Sequence, residues 1–167
     1  MKKWVNGKQV DIQMTQLNWQ IKTFDQLSNN ELYDALKLRI DVFVVEQTCY
    51  YPDLDNLDRD IHTLHLFSYE NKQMVAYARI LAKGICYPDH IAIGRVLTAA
   101  SVRSKGYGHQ LINKALTYCQ QYFPRQNIKI SAQQHLSAFY QQHGFIPCSA
   151  MYLEDGIPHI SMYKACT

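Results

Sequence analysis

Hydrophobic positions along the chain follow two spacings, one typical of strands and one typical of helices. Strand-like runs cover residues 17–24, 62–69, 74–81, 90–98 and 127–132, and two more strands are predicted within 145–162. Apolar residues at helical spacing predict helices over residues 29–44, 108–123 and 135–143. Ser28 and Glu31 have the spacing of a capping box at the start of the first helix. This order predicts an α/β fold with a mixed sheet, formed by one domain over residues 17–167 after an N-terminal arm over 1–16.

Composition excludes several classes of protein. Hydrophobic residues make up 47% and charged residues 19%, which is typical of a globular protein. No apolar run approaches the ~18 residues of a membrane span, and polar residues interrupt the N-terminal segment where a signal peptide would be apolar. The five cysteines are scattered, without a C-x-x-C pair, so we expect reduced thiols, no metal site and a cytoplasmic location. A net charge of +3 without a basic block gives no support for binding nucleic acid.

An acidic segment follows the first predicted helix. Hydrophobic residues in 46–60 follow neither the strand-like nor the helical spacing, so a loop on the surface is expected there. The loop lacks the glycine and the glutamate that an EF-hand needs, which argues against calcium. Its carboxylates either are solvated or border a site where they attract a cationic amine.

A glycine-containing turn joins the strand over 90–98 to the helix that follows. Glycines at 106 and 108 allow the backbone to approach an anion, and the helix start directs unpaired N–H groups to the same point. Arg103 and Lys105 add positive charge. The spacing differs from both the Walker A and the Rossmann patterns, so the turn indicates a pyrophosphate site in another fold.

These features resemble the GCN5-related N-acetyltransferase (GNAT) superfamily. Residues 103–108 match its R/Q-x-x-G-x-G/A signature, and residues 140–145 resemble its Y-x-x-x-G-F motif. The combination of residues 38–39, 42–47, 94–96, 132–136 and 154–160 is similar to the ElaA-like branch. The resemblance implies a sheet of about six to seven strands with about four helices and an acetyl-CoA co-substrate. The implied cofactor contacts are Val96, Leu97 and Thr98 for the pantetheine arm, Arg103, Ser104, Lys105, Gly106, Tyr107 and Gly108 for the pyrophosphate, and Gln133 and Tyr140 nearby.

Acetyl transfer to an amine needs a proton acceptor for the amine and a donor for the departing thiolate. Tyr140, which the resemblance places nearby, fits the role of donor, because a phenol can protonate the thiolate without being ionised itself. The alternative is that Tyr140 only packs beside Phe139 and Phe145. Three residues remain as near-equal candidates for the base: His159, Glu46 and His65. His65 could equally be a core histidine, because its neighbours in the strand point to the other face.

The sequence therefore predicts an N-acetyltransferase that acts by direct transfer, without an acetyl-cysteine intermediate. The acceptor would be an amine of a small molecule or peptide. A CoA-binding regulatory domain without turnover is the alternative, and assembly as a homodimer is left open. No membrane or nucleic-acid partner is expected.

Overall fold

An eight-stranded mixed sheet forms the centre of the molecule. The computed structural model describes residues 2–5, 8–11 and 17–166. The strands are β1 (Lys2–Val5), β2 (Lys8–Asp11), β3 (Trp19–Lys22), β4 (Leu64–Glu70), β5 (Gln73–Leu81), β6 (Ile91–Thr98), β7 (Ile128–Gln133), β8 (Ile146–Pro147), β9 (Tyr152–Glu154) and β10 (Ile157–Lys164). Strands β1 and β2 form a separate antiparallel pair. The large sheet has the order β3-β4-β5-β6-β7-β10-β8, with β9 paired to β10.

Within residues 17–166, three α-helices accompany the sheet: α1 (Asn29–Arg39), α2 (Tyr107–Tyr122) and α3 (Ser137–Gln141). The capping box at the start of α1 is confirmed, because the Glu31 amide donates to the Ser28 hydroxyl and the Ser28 amide donates to the Glu31 carboxylate. After α1 the chain continues as a π-helix over Ile40–Glu46. Four of these seven residues are β-branched, a type that is crowded in a regular α-helix.

The mixed α/β sheet predicted from the sequence is confirmed. Strands β3 to β6 form an antiparallel meander, and the β6–β7 pair is parallel. The structure differs in its details: three strands rather than two lie within residues 145–166, and α1 ends at Arg39 rather than at residue 44. Helix α2 buries Leu111, Ile112 and Ala115 completely in the core beside the sheet.

The acidic segment after the π-helix forms the expected loop, but two of its carboxylates are buried rather than solvated. Asp53 and Asp58 are buried, with exposed fractions of 5% and 6%. Both carboxylates form ion pairs with Arg39, whose side chain is 1% exposed. Charged residues are buried only when they are paired, and sequence periodicity does not identify the partner.

His65 lies in the interior of the sheet rather than at a cleft. Its side chain is 1% exposed, and its Nε2 lies 3.0 Å from the carbonyl oxygen of Asp58. A carbonyl only accepts, so Nε2 carries the proton and Nδ1 accepts from the Tyr77 hydroxyl at 2.7 Å. Burial, together with the charges of Arg39 and Arg79, lowers the pKa of His65. Of the alternatives that the sequence left open, the structure supports the core histidine.

Protonation of His65 should couple stability to pH. Since the folded-state pKa lies below the unfolded value of about 6.5, the unfolded chain binds more protons as the pH falls below that value. We expect the unfolding free energy to decrease with falling pH from about 6.5, with His65 contributing at most about 1.4 kcal/mol per pH unit. His65→Gln should reduce this slope in urea titrations between neutral and mildly acidic pH, whereas His62→Gln, at an exposed position, should keep it. Equal slopes in all three proteins would contradict the assignment.

Candidate active site

A gap opens between β6 and β7, two strands that begin as neighbours in the sheet. Their parallel pairing covers only Ile91 and Ala92 against Ile128 and Lys129. Further along β6, Arg95 has a φ of 52°, in the left-handed region, and the register with β5 shifts in the same stretch. An irregularity of this kind bends a strand and ends regular pairing. The carboxyl ends of β6 and β7 therefore separate and leave room for a ligand.

Two cavities occupy this gap. The turn cavity, of about 410 Å³, extends along Val96, Leu97 and Thr98 to Arg103 and Gly108. The loop cavity, of about 440 Å³, lies on the other side, between the segment after the π-helix and the β9–β10 hairpin. Both cavities are lined by the same five residues where they meet: Gln47, Val96, Gln133, Leu136 and Tyr140.

The turn before α2 has the backbone form that its glycines predict. Gly106 has a φ of 79° and is the N-cap of α2, and Ser104 has a φ of 68°. The first N–H groups of an α-helix have no partner within the helix, and the helix dipole places partial positive charge there. The N-terminus of α2 therefore presents donors of the kind that bind phosphate groups.

Acidic side chains neutralise the two basic residues of the turn. Arg103 forms a two-pronged pair with Glu46, with N–O distances of 2.5 and 2.8 Å, and Lys105 lies 2.9 Å from Glu70. The hydrogen bonds from Arg103 lower the pKa of Glu46. Glu46 therefore lies at the turn cavity as an ionised partner of Arg103, which makes it a poor proton acceptor. Exposed ion pairs are worth about 0–1 kcal/mol, so a phosphate could displace either carboxylate at little cost.

Tyr140 lies where the two cavities meet. Helix α3 carries it, and its ring packs at right angles against Phe139 and Phe145. The side chain is 7% exposed, and its hydroxyl has no hydrogen-bond partner within the part of the chain that the structure describes. Burial raises the pKa of Tyr140 to about 12, so the phenol is protonated at neutral pH.

His159 faces the loop cavity from β10. Its Nδ1 lies 2.8 Å from the carbonyl oxygen of Ile157, which can only accept, so Nδ1 carries the proton. In the neutral ring Nε2 therefore carries the lone pair, and no described residue donates to it. The ring is stacked on Tyr152, with centroids 6.3 Å apart.

Gln133 connects the two sides of the gap. Its side-chain amide donates to the amide oxygen of Gln47 at 3.0 Å, so the end of β7 is linked to the segment after the π-helix. Gln47 lines both cavities and was not singled out in the sequence as a site residue. It is adjacent to Glu46 in the chain, but no local motif distinguishes it.

A network of buried arginines and aspartates forms one wall of the loop cavity. Arg79 donates to Asp55 at 2.6 and 2.7 Å and to Asp58 at 2.9 Å, and Arg95 donates to Asp53 at 2.7 Å. Burial alone would raise the pKa of Asp53, but the Tyr51 hydrogen bond and the Arg39 and Arg95 charges outweigh it and lower that pKa. The acidic segment therefore reaches the cavity as the sequence suggested, but with its buried carboxylates already paired.

The structure brings most of the residues selected from the sequence to one place. The turn cavity is lined by Glu46, Val96, Leu97, Thr98, Arg103, Gly108, Gln133 and Tyr140, and the turn itself contains Ser104, Lys105, Gly106 and Tyr107. His159 lines the loop cavity. His65 is the exception, because it lines neither cavity.

Neither a metal cluster nor a membrane helix is found in the described ranges. No group of three or more histidine, cysteine, aspartate or glutamate side chains there could hold a metal ion. Among the helices of residues 17–166, none is long and apolar enough to cross a membrane.

Comparison with known families identifies the class of protein. The model of the acetyltransferase (GNAT) domain matches residues 25–166, which is most of the chain. The chain therefore belongs to the GNAT family of acetyltransferases.

Within this family the chain is similar to ElaA proteins. It is 42% identical to Protein ElaA of Escherichia coli K12 over 148 residues, 89% of this chain and 96% of that protein. The crystal structure of E. coli ElaA aligns with this chain with a TM-score of 0.84, and the alignment covers 89% of this chain and 99% of the ElaA chain. An acyl-CoA N-acyltransferase from Pseudomonas aeruginosa is 40% identical, with coverage of 90% and 100% and a TM-score of 0.85. An acetyltransferase from Bacillus subtilis in complex with CoA shares the fold at 18% identity, with coverage of 91% and 100% and a TM-score of 0.64. The resemblance to the ElaA-like branch is thus confirmed.

Proposed function

We propose that this protein transfers the acetyl group of acetyl-CoA directly to the amine of a small molecule or peptide. The observation that carries the proposal is the position of Tyr140, whose unpartnered hydroxyl lies where the turn cavity meets the loop cavity. Membership of the GNAT family supports CoA-dependent acyl transfer, and the B. subtilis relative was solved with CoA bound. The turn cavity would hold acetyl-CoA, and the loop cavity would admit the amine.

The cofactor would lie along β6 with its pyrophosphate at the start of α2. The backbone of Val96, Leu97 and Thr98 faces the gap where β6 has left β7, so the pantetheine arm could pair with it as an added strand. The N–H groups at the start of α2 would bind the pyrophosphate. Arg103 and Lys105 would release the carboxylates of Glu46 and Glu70 and bind phosphate oxygens instead. We therefore assign Glu46 to the cofactor side of the site rather than to the base.

His159 would accept the proton of the attacking amine. In the neutral ring Nε2 is the nitrogen that can accept a proton, and His159 lines the loop cavity, as Tyr140 does. The amine nitrogen attacks the thioester carbonyl, the C–N bond forms, and the C–S bond breaks. Nε2 takes the proton from nitrogen, and CoA leaves as a thiolate that accepts a hydrogen bond from the Tyr140 hydroxyl. A phenol with a pKa near 12 is a weaker acid than a thiol, so Tyr140 mainly stabilises the thiolate, which solvent protonates afterwards.

Direct transfer is favoured over an acetyl-cysteine intermediate. A nucleophilic cysteine needs a lowered pKa, which a nearby cation or helix start supplies. Cys49 and Cys86 line the loop cavity, but burial raises the pKa of both. Neither thiol is therefore activated. A cytoplasmic location remains our expectation for the working protein.

Gly106→Val should weaken acetyl-CoA binding at least about tenfold. Gly106 has a φ of 79°, where a side chain costs about 1–2 kcal/mol, and a branched Cβ would lie where the phosphates approach. Calorimetric titration with acetyl-CoA measures the change. Gly84→Val is a matched control, because Gly84 also has a positive φ, of 93°, and lies outside the turn. Equal affinities in the parent and the Gly106 variant would refute the cofactor site.

The alternative is a CoA-binding regulatory domain without turnover. It shares the cofactor site but needs neither an unpartnered phenol nor an unprotonated histidine nitrogen at the junction of the cavities. Those two groups favour the enzyme.

A further inference from the structure

The loop cavity has a charge pattern that bears on the identity of its ligand. Three arginines in its wall and behind it face three aspartates: Arg39, Arg79 and Arg95 against Asp53, Asp55 and Asp58. This network is balanced in charge. Its charges are paired with one another, so it offers no net charge to a ligand.

Two further carboxylates line the same cavity and have no cationic partner within residues 17–166. They are Glu154, at the end of β9, and Asp155, in the turn that follows. The Glu154 carboxylate accepts a hydrogen bond from the Ser131 hydroxyl, which lies 2.6 Å from the Tyr152 hydroxyl. Lys129 lies on the same strand as Ser131, but its Nζ is over the Tyr87 ring at 4.9 Å and it does not line the cavity. The cavity therefore has an excess of negative charge at its β9–β10 side.

Glu154 lies on the same face of the hairpin as His159. In the β9–β10 pairing His159 is opposite Tyr152, and Ile157 is opposite Glu154. Side chains two residues apart point to the same face, and diagonal neighbours of this kind are about 7–8 Å apart at Cα. A short aliphatic chain can span the distance between two such side chains.

Two further groups indicate that a ligand belongs in this cavity. Tyr140 is more than nine-tenths buried, and its hydroxyl has no partner among the described residues. His159 likewise has an Nε2 to which none of them donates. Both residues line the cavity, so a ligand there can hydrogen-bond to them. Tyr140 and His159 could hydrogen-bond to one end of an amine ligand, which leaves Glu154 to bind the other end.

We propose that the acceptor is an amine with a second cationic group, which the Glu154 carboxylate binds while the first amine reacts beside His159. This inference rests on the proposed function and names the acceptor class. Glu154 supplies a charge-assisted hydrogen bond, and Ser131 holds its carboxylate in place. Asp155 adds to the attraction at longer range.

An amine that carries a carboxylate is the competing acceptor, with Arg95 as its partner. The Arg95 side chain already donates to Asp53 through Nε at 2.7 Å, and its guanidinium lies over the Tyr51 ring. Its charge is therefore satisfied. A second anion would also have to enter beside Glu154 and Asp155, which makes the carboxylate the less favourable ligand.

Three acceptors with the same carbon chain separate these ligands: 1,4-diaminobutane, n-butylamine and 4-aminobutanoate. We expect kcat/KM of the parent protein to be at least about tenfold higher for the diamine than for the other two, which corresponds to about 1.4 kcal/mol. Glu154→Gln should lower kcat/KM for the diamine about tenfold, mainly through KM, and leave n-butylamine within about twofold. Asp25→Asn, an exposed carboxylate outside both cavities, is the control.

Binding provides a readout that does not depend on turnover. Calorimetry on the CoA-saturated protein should show that the diamine binds more tightly than n-butylamine and that Glu154→Gln removes the difference. Equal binding of the two amines, or a preference for 4-aminobutanoate, would overturn the dicationic acceptor, even if acetyl transfer to n-butylamine stands. If the protein transfers acetyl to none of the amines but still binds the diamine selectively, the proposed function is overturned, whereas the binding site at Glu154 stands.

Discussion

Changing Tyr140 to phenylalanine is expected to lower kcat by at least about a hundredfold, within the roughly 10²- to 10³-fold range that one hydrogen-bond donor to a developing negative charge contributes. The substitution removes one hydroxyl and keeps the ring, so its edge-to-face contacts with Phe139 and Phe145 should remain. The hydroxyl acts on the thiolate that forms as the C–S bond breaks. Its loss should therefore appear in kcat, while acetyl-CoA affinity changes little.

Steady-state kinetics together with calorimetric titration of acetyl-CoA distinguish this role from simple packing. Tyr118→Phe is a matched control, because Tyr118 is on α2 and lines neither cavity. A kcat for Tyr140→Phe within about threefold of the parent would remove Tyr140 from the chemistry, since a hydrogen-bond donor to the departing thiolate is worth far more. A large loss of cofactor affinity with unchanged kcat would instead make Tyr140 a binding residue.

Arg39→Met should destabilise the folded protein by about 3–5 kcal/mol, the usual cost of removing one partner from a buried ion pair. The Arg39 guanidinium donates to the Asp53 carboxylate at 2.8 Å and to Asp58 at 2.9 Å, and all three side chains are buried. Methionine fills much of the volume of the Arg39 side chain, but the buried carboxylates of Asp53 and Asp58 each lose an ion-pair partner. A loss of this size is a large part of the 5–15 kcal/mol that holds a typical domain together.

Urea unfolding should show the loss as a lower midpoint with an unchanged slope, because the surface exposed on unfolding hardly changes. Arg59→Met is the control from the same segment, since Arg59 is exposed and such changes are usually worth within about 0.5 kcal/mol. If both variants unfold at the same urea concentration, the buried network does not contribute to stability as we describe.

Local features of the site could be predicted from the sequence because they depend on neighbouring residues. The turn at Gly106 requires a left-handed backbone, and glycine adopts it without strain, so the sequence itself marks the position. The capping box at Ser28 and the helical spacing of α2 are local in the same sense. Tyr140 was identified through a motif of six residues, and the structure places it in the gap.

The partners of the acidic segment could not be predicted, because they come from distant parts of the chain. Arg39 is 14 residues from Asp53 and 19 from Asp58, and Arg79 and Arg95 come from two different strands. Composition alone suggested a solvated loop, since it does not show which charges the fold brings together. His65 illustrates the same limit: both faces of β4 are buried, so alternation along the strand does not distinguish a cleft from the core.

Mass spectrometry of the products formed from acetyl-CoA and 1,4-diaminobutane tests the proposed activity most directly. We predict that the parent protein releases one CoA thiol for each N-acetylated diamine and that no cysteine peptide carries an acetyl group. Tyr140→Phe should bind acetyl-CoA and form this product far more slowly. Tight binding of acetyl-CoA without an acetylated product from any of a panel of amines would contradict the enzyme and favour a CoA-binding regulatory domain.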